Sequence, residues 1–477
     1  MDYSKLTIPQ YINALKAKQF TAGKACEFFA KRCLADKKGA ILEVFDSWKI
    51  LARNVDDKIK RGEPLGKLAG VPIIIKDNIL YKNHRAGASS KILDGFIAPY
   101  SATVVEKIIA EDGIIIARSD MDEFAMGGVG RYAYNGPTKN AHSDDHHAGG
   151  SSSGSAVAVA LGYCLVALGS DTAGSVRYPA SLNGIVGIKP TYGSVSRYGA
   201  VAFGSNLEQV GVFARNIHDT QILLNVISGK CPMDATSLTP PSTKPLDKVN
   251  FKGLKIGKIK ELYDALSSSP FAPLYEKILG DLKSRGARII EISTPNITKS
   301  INTYYALAPT QAASNLARFD GVRYGYSDPE AETLNELYEK TRSAGFGTEV
   351  KRRILLGNLM LSARPETNEA GIETITAMKE RIATEFTNAF KSVDILLMPT
   401  GYGVAPKIGV AVDPVDDYLV DLFTVPANMS GSPALSIPCG IDEIEGSKLP
   451  LGLQIVADKW NEDLLFAVAK ELEEVLR

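Results

Sequence analysis

Through residues 1–65 the apolar positions recur at the spacing of an amphipathic helix. Thr7-Ile8-Pro9-Gln10 reads as a helix start, with the Thr7 hydroxyl as cap and Gln10 reaching back, ahead of Tyr11, Ile12 and Leu15. Thr21 fits the cap of a second helix with Ala25, Phe28, Phe29 and Leu34 on its apolar face, and a third is predicted from Leu42 to Ile59. The rhythm then changes. Short β-branched runs appear at Val71–Ile75, Ile114–Ile116, Ile185–Ile188, Ile256–Ile259, Ile289–Ile290, Ile395–Leu397 and Ala434–Ile437. Helical patterns lie between most of them, among them Thr103–Glu111, Pro273–Lys283 and Ile375–Phe390. Continuously apolar strands alternating with helices predict an α/β fold whose strands are buried on both faces. The polar, proline-containing stretch 231–250 reads as a surface loop and not as a linker. We therefore expect one large domain over 1–477, with a helical wrap at 1–65, a core at 66–230 and the rest of the sheet at 251–477.

Composition narrows the function classes. A chain of 477 residues that is 45% hydrophobic can bury a large core, which excludes disorder and small disulfide scaffolds. The 54 basic and 54 acidic side chains cancel, removing the electrostatic footprint of a protein that grips nucleic acid by itself. Docking to a partner that does the gripping stays open. Cys26, Cys33, Cys164, Cys231 and Cys439 are scattered, with no C-x-x-C spacing, so neither a disulfide frame nor a zinc site is expected. No signal-type apolar core opens the chain, and the most apolar segment, Ala156–Leu168, is too short to span a bilayer. The expectation is a cytoplasmic protein without membrane contact.

Three polar features interrupt the apolar pattern where a core would continue. Lys76 closes the run Val71–Ile75. A lysine there either snorkels past the strand end or is desolvated, lowered in pKa and able to act as a base. Gly149-Gly150-Ser151-Ser152-Ser153-Gly154-Ser155 feeds a small-residue helix, which suits a cap or an anion-binding turn. It lacks the Gly-Lys-Ser/Thr ending of a P-loop, and the polar His142–His147 before it rules out the strand that a hydrolase nucleophile elbow requires. Gly169–Arg177 follows the apolar run Leu165–Leu168, and its small residues offer successive N–H groups beside a hydroxyl. His142, Asp144, Asp145, His146 and His147 read as a solvated turn rather than a metal site.

Taken together, Gly70–Asn78, Gly149–Ser155 and Asp171–Arg177 resemble the amidase signature family, whose catalytic set is Ser–cis-Ser–Lys without histidine. The separation of Ser151 and Ser175, twenty-four residues, is the family's own. The resemblance implies a mixed central β-sheet covered by helices on both faces. It also implies Ser175 as nucleophile, Ser151 as bridging serine, Lys76 as base, and Thr172, Ala173, Gly174 and Ser175 as the oxyanion-hole amides. Such a set is chemically coherent, because a serine needs a base in contact and a neutral buried lysine can serve.

Met121–Gly127, Gly136–Asn140, Lys189–Gly193, Ser314–Gly325 and Glu349–Ile354 resemble the branch formed by A subunits of tRNA-dependent amidotransferases. That implies hydrolysis of glutamine, with Met126, Gly127 and Gly128 lining the substrate, Arg353 clamping its carboxylate, Asp421 its ammonium, and Tyr304 donating a hydrogen bond. It further implies B- and C-type partner subunits, tRNA bound mainly through the partner, no cofactor in this chain, and ATP with magnesium only in the partner. Ser153, Ala173, Tyr178, Gln311 and the stretch Ala363–Glu369 depart from the branch's pattern around the pocket. They motivate an alternative, a free-standing amidase for another small amide. A scaffold that has lost catalysis is the third possibility, and the intact Lys76, Ser151 and Ser175 count against it.

Overall fold

The β-branched runs all become strands, and with the Leu165–Leu168 run and three segments the pattern did not reveal they form one sheet. In the computed structural model, residues 1–241, 246, 248–267, 269–362, 372–410 and 417–476 are described. In chain order the strands are β1 (Ile41–Val44), β2 (Pro72–Lys76), β3 (Ile114–Ser119), β4 (Val166–Asp171), β5 (Val186–Lys189) and β6 (Gln209–Ala214). They continue with β7 (Lys255–Ile259), β8 (Arg288–Ile292), β9 (Ile395–Pro399), β10 (Ala434–Ile444) and β11 (Ser447–Ala457). Across the sheet the order is β1-β3-β2-β4-β6-β5-β10-β11-β9-β7-β8. β2 runs parallel to β3 and β4, and β7 parallel to β8 and β9. The other neighbours are antiparallel, so the sheet is mixed.

Every residue of β2, β3, β4, β6 and β9 is buried, so both faces of these strands are covered. The helix Ser153–Ala160 packs against β2, β3 and β4, and the helix Ile217–Ile227 against β4, β5 and β6. The segments missed from sequence have identifiable disguises. β6 carries Gln209 and Gly211, and β11 carries Pro450 and Gly452 within its apolar run. Gly452 is needed for packing, since a Cβ there would lie 2.4 Å from Ser181 Oγ. The β10–β11 hairpin closes through Glu445 and Gly446, both at positive φ, as in a two-residue primed turn.

The N-terminal wrap is only partly helical, which corrects the reading of residues 1–65. Thr7 and Gln10 form the expected capping box, and Thr21 caps the helix Ala22–Leu34. The third helix begins at Trp48 rather than Leu42, because Ile41–Val44 pairs antiparallel with β3 as an edge strand. Its four residues are half-buried, and Glu43 reaches Arg118 of β3 at 3.1 Å. Residues 231–241, 246 and 248–250 form neither helix nor strand, as expected for a loop, although Cys231 and Ser237 are buried. Among the described residues no helix is long and apolar enough to cross a membrane.

The parallel trio β3-β2-β4 carries the polar residues at its end. Its three strands finish on the same edge, at Ser119, Lys76 and Asp171. Loops leaving the carboxyl ends of neighbouring parallel strands converge, and that is where open α/β sheets place their ligands.

Candidate active site

Lys76, the last residue of β2, is fully buried. Its Nζ lies 2.7 Å from Ser151 Oγ, 2.9 Å from Ser152 Oγ and 2.9 Å from Ser170 Oγ. The snorkelling alternative is therefore excluded. Burial disfavours the ammonium and lowers the lysine to about 7, against the opposing pull of Asp122, Asp171 and Glu208. Asn78 Nδ2 donates to Ser170 Oγ at 3.0 Å, and Ser152 Oγ donates to the Ser170 carbonyl at 3.1 Å. Ser152, Ser170 and Asn78 thus form a polar cage that sequence reasoning did not single out.

The turn 149–152 brings Ser151 to the lysine. Gly149 has φ +78°, and the Gly150–Ser151 peptide is cis. The small residues beyond it serve close packing, not an anion. A Cβ at Gly154 would lie 2.4 Å from the Ala40 carbonyl oxygen, and Ser155 Oγ bonds Ser119 Oγ at 2.7 Å and the Leu168 carbonyl at 2.9 Å. Ser152 N donates to the Ser175 carbonyl at 3.2 Å, which ties this turn to the loop after β4. Lys76 therefore contacts Ser151 directly. None of its hydrogen bonds goes to Ser175, which is 6% exposed.

That second loop, Thr172–Ser175, is held from below by a buried ion pair. Arg177 donates through Nη2 to Asp171 Oδ1 at 2.9 Å and through Nε to Oδ2 at 3.0 Å, and both side chains are fully buried. Asp171 also accepts from Asn428 Nδ2 at 2.9 Å and from Val176 N at 3.1 Å. Burial alone would raise the Asp171 carboxyl, but the Arg177 guanidinium overrides it and holds the group at about 2. Gly174 has φ +145°, and a Cβ there would lie 2.3 Å from Thr424 Oγ1, so the loop has no room for a side chain at this point. Ala173, where the family usually has glycine, is not in the left-handed region, and its Cβ adds no such strain. Tyr178 packs with Leu182 and Ala405, and Gly401 leaves room for its ring.

The residues implied for substrate recognition gather nearby. Arg353 is buried on the helix Thr348–Ser362, and its guanidinium lies over the rings of Tyr305, Phe203 and Tyr418. It does not stand alone, because its Nε donates to Glu349 Oε1 at 2.8 Å. Tyr305 donates to Asp421, with 2.9 Å between its hydroxyl and Oδ2. Tyr304 is buried beside it, with the rings edge to face at 4.8 Å. Burial raises Asp421 to about 7 despite the Tyr305 bond and the nearby Arg353. Met126 is buried, and Gly128 leads to this group, since a Cβ there would lie 4.0 Å from Asp421 Oδ1. Gln311 Oε1 accepts from Asn206 N at 3.0 Å, and a Cβ at Gly204 would lie between it and Thr172. Tyr305, Glu349 and Tyr418 are participants that the sequence did not distinguish.

Two further expectations concern other segments. Ala363–Glu369 lies outside the described residues. His146 and His147 are buried, which corrects the reading of a solvated turn: His146 Nδ1 bonds Ser143 Oγ at 2.9 Å and His147 N donates to the Pro406 carbonyl at 2.9 Å. Among the described residues no three His, Cys, Asp or Glu side chains converge as a metal site would require.

A buried amine lowered to about 7 and in contact with a serine, a second serine held to the same turn through backbone, and a glycine-containing loop are the parts that a serine acyl-transfer site requires. The family model "Amidase" matches residues 25–466. The A subunit of the glutamyl-tRNA(Gln) amidotransferase of Prochlorococcus marinus is 45% identical over 89% of this chain and 87% of its own length. That of Koribacter versatilis is 42% identical over 100% of this chain and 99% of its own. Among solved structures, the A subunit of glutamyl-tRNA(Gln) amidotransferase from Thermotoga maritima superimposes with a TM-score of 0.75 at 33% identity, covering 98% of this chain and 94% of that one. A crystal structure described as an amidase gives 0.82 at 25% identity, covering 99% and 100%.

Proposed function

The chain belongs to the amidase family, and on that premise we propose that it is the glutamine-hydrolysing subunit of a tRNA-dependent amidotransferase. Its ammonia then serves to amidate glutamate or aspartate carried on tRNA in a partner subunit. The observation that carries this reading is the convergence of Arg353, the tyrosine pair and Asp421 beside the Lys76–Ser151 contact. A free α-carboxylate and α-ammonium are what such a cation and anion recognise.

On this reading neutral Lys76 takes a proton from Ser151 as Ser151 takes one from Ser175. Ser175 Oγ attacks the side-chain carbonyl carbon of glutamine, and the oxyanion forms against the amides of Thr172–Ser175. The proton returns through the same pair to the leaving nitrogen, which departs as ammonia. Water repeats the cycle on the acyl-enzyme and releases glutamate. This acyl transfer calls for no cofactor. ATP and magnesium act in the partner, which also carries the tRNA together with a small C-type subunit. The organisation of 1–477 as one domain, with segments 1–65, 66–230, 231–250 and 251–477, is part of the same proposal.

The test is ammonia release from glutamine by the purified chain, alone and with B- and C-type subunits and mischarged tRNA. Release that is weak alone and rises with the complete assembly is the expected result. Full-rate hydrolysis by the isolated chain would remove the coupling to partners. Arg353→Ala should raise KM for glutamine by about 30-fold or more, since it truncates one side of a buried charge contact. Besides the departures at Ser153, Ala173, Tyr178, Gln311 and 363–369, the Glu349 carboxylate on Arg353 favours a neutral amide instead. A panel of amides decides, because turnover of a neutral amide in preference to glutamine would replace the first reading by the second.

Two groups at about 7 set the pH dependence. Lys76 is a base only when neutral, so kcat should rise as pH passes upward through about 7 and fall below it. Asp421 must be ionised to hold an ammonium, so kcat/KM should rise more steeply than kcat over the same range. A kcat profile flat from pH 5.5 to 8.5 would remove Lys76 as the base.

A further inference from the structure

Asp122 is fully buried and belongs to no part of the mechanism above. It follows β3 in the turn before the short helical segment Glu123–Ala125. Its two carboxylate oxygens are spent on one neighbouring loop. Gly130 N donates to Oδ2 at 3.0 Å, and Tyr132 N donates to Oδ1 at 2.7 Å. Its own N–H donates to the Ser151 carbonyl at 3.1 Å. The same carboxyl group presses on two glycines that have no room for anything larger. A Cβ at Gly150 would lie 2.0 Å from Asp122 Oδ2, and one at Gly127 would lie 2.4 Å from its Cγ.

These contacts join two halves of the site. Gly150 N donates to the Gly128 carbonyl at 2.8 Å, and Gly149 N donates to the Val129 carbonyl at 3.0 Å. The turn that presents Ser151 to Lys76 and the loop that brings Gly128 against Asp421 are therefore one hydrogen-bonded unit, with the Asp122 carboxylate at its centre.

The charge matters as well as the contacts. The carboxylates facing Lys76 are Asp122, Asp171 and Glu208. Asp171 is paired with Arg177, and Glu208 faces Arg197 at 3.7 Å and accepts from Phe203 N and Gly204 N. Among the described residues Asp122 has no lysine or arginine in ion-pair contact. Burial raises its carboxyl above the usual range, opposed by the Tyr132 and Gly130 N–H groups and by the charges of Lys76 and Arg353, so its field on the lysine is shared with Arg353 but not cancelled by an ion pair.

We propose that Asp122 is a positioning residue, which fixes Ser151 against Lys76 and Gly128 against Asp421 and supplies the negative charge that stabilises the Lys76 ammonium formed as the nucleophile loses its proton. The proposal rests on Lys76, Ser151 and Ser175 being the catalytic set. Asp122→Asn keeps the shape but turns an N–H toward one of the two backbone donors and removes the charge. Loosening of the paired loops should lower kcat by about 100-fold and raise KM for glutamine. Loss of the charge should shift the rising limb of the kcat profile toward lower pH by about 1 unit.

The discriminating measurement is the rate at which a fluorophosphonate probe labels Ser175, followed by mass spectrometry from pH 5.5 to 9 in wild type and Asp122→Asn. This readout needs no glutamine, so it stands apart from the choice of substrate. A slower reaction with its limb shifted to lower pH is the expected result. A slower reaction with the limb unmoved makes Asp122 merely structural and overturns the proposal, as does an unchanged rate. Wild-type protein that is not labelled at Ser175 overturns the catalytic set instead, and the proposal falls with it. If Asp122→Asn does not fold, Gly127→Ala displaces the carboxylate without removing its charge. It should lower kcat and raise KM together with the limb in place, and unchanged kinetics would contradict the proposal.

Discussion

Ser175→Ala should reduce ammonia release to background, a loss of at least about 10⁴-fold, and Lys76→Met should do the same. Methionine is the better substitution at 76 because it keeps the volume of a side chain that is fully buried, whereas alanine would add a cavity to the loss of the base. Ser151→Ala should be severely impaired without matching them, since a water can stand in imperfectly for a relaying hydroxyl. The three groups act as one unit, so Ser175→Ala combined with Lys76→Met should be no worse than either alone. The geometry explains why. Lys76 reaches Ser151 and not Ser175, so without the lysine the relay has no acceptor, and without the nucleophile the lysine has nothing to deprotonate. A coupled ammonia assay on the assembled enzyme measures all four variants. A double variant far below both singles would mean that the two residues serve separate steps.

Of the proposed catalytic trio only Lys76 stood out in the pattern itself, because it breaks a rule that folding enforces, while Ser151 and Ser175 took their roles from the family resemblance. A lysine ending the run Val71–Ile75 has to be accounted for, and burial on both faces of β2 removes the account in which it snorkels to solvent. The strands were legible for the same reason, since continuous apolar runs mark strands covered on both faces. β1 escaped because an edge strand of four half-buried residues has no apolar signature, and its sequence joins smoothly onto the next helix. The pocket residues carried roles only through family resemblance. Tyr304 and Tyr305 are adjacent and chemically alike, and which of them reaches Asp421 depends on how the helix Ser300–Asn315 is turned about its axis. Asp122 and Glu349 look in the sequence like ordinary solvated carboxylates. Their burial follows from the packing of loops and segments against one another, the 127–132 and 149–151 turns around Asp122 and Tyr418 against Glu349, to which no local pattern responds.

Asp171→Ala should cost about 3–5 kcal/mol of stability, the largest structural effect expected of a single substitution near the site. The Arg177 guanidinium is fully buried and makes five hydrogen bonds, two of them to Asp171 and the others to Thr424 O, Gln454 Oε1 and Asn428 Oδ1. Removing Asp171 leaves that charge in the interior without a counter-ion, and it is this stranded charge rather than the lost attraction that destabilises. Asp171→Leu with Arg177→Met should therefore recover most of the stability, while leaving catalysis impaired, because the carboxylate also holds Val176 N and so the end of the oxyanion loop. Denaturant midpoints of the single and double variants measure this. A double variant as unstable as the single would show that the cost lay in packing. The pH dependence carries a sign that can be checked independently. The folded-state value of about 2 is depressed below the usual aspartate value of about 3.9, so the contribution of this group is fully present above that ordinary value. It is lost as pH falls from there through about 2, where the folded state too takes up the proton. Acid unfolding of the wild type should accordingly steepen in that window, and the doubly substituted protein should lack that component.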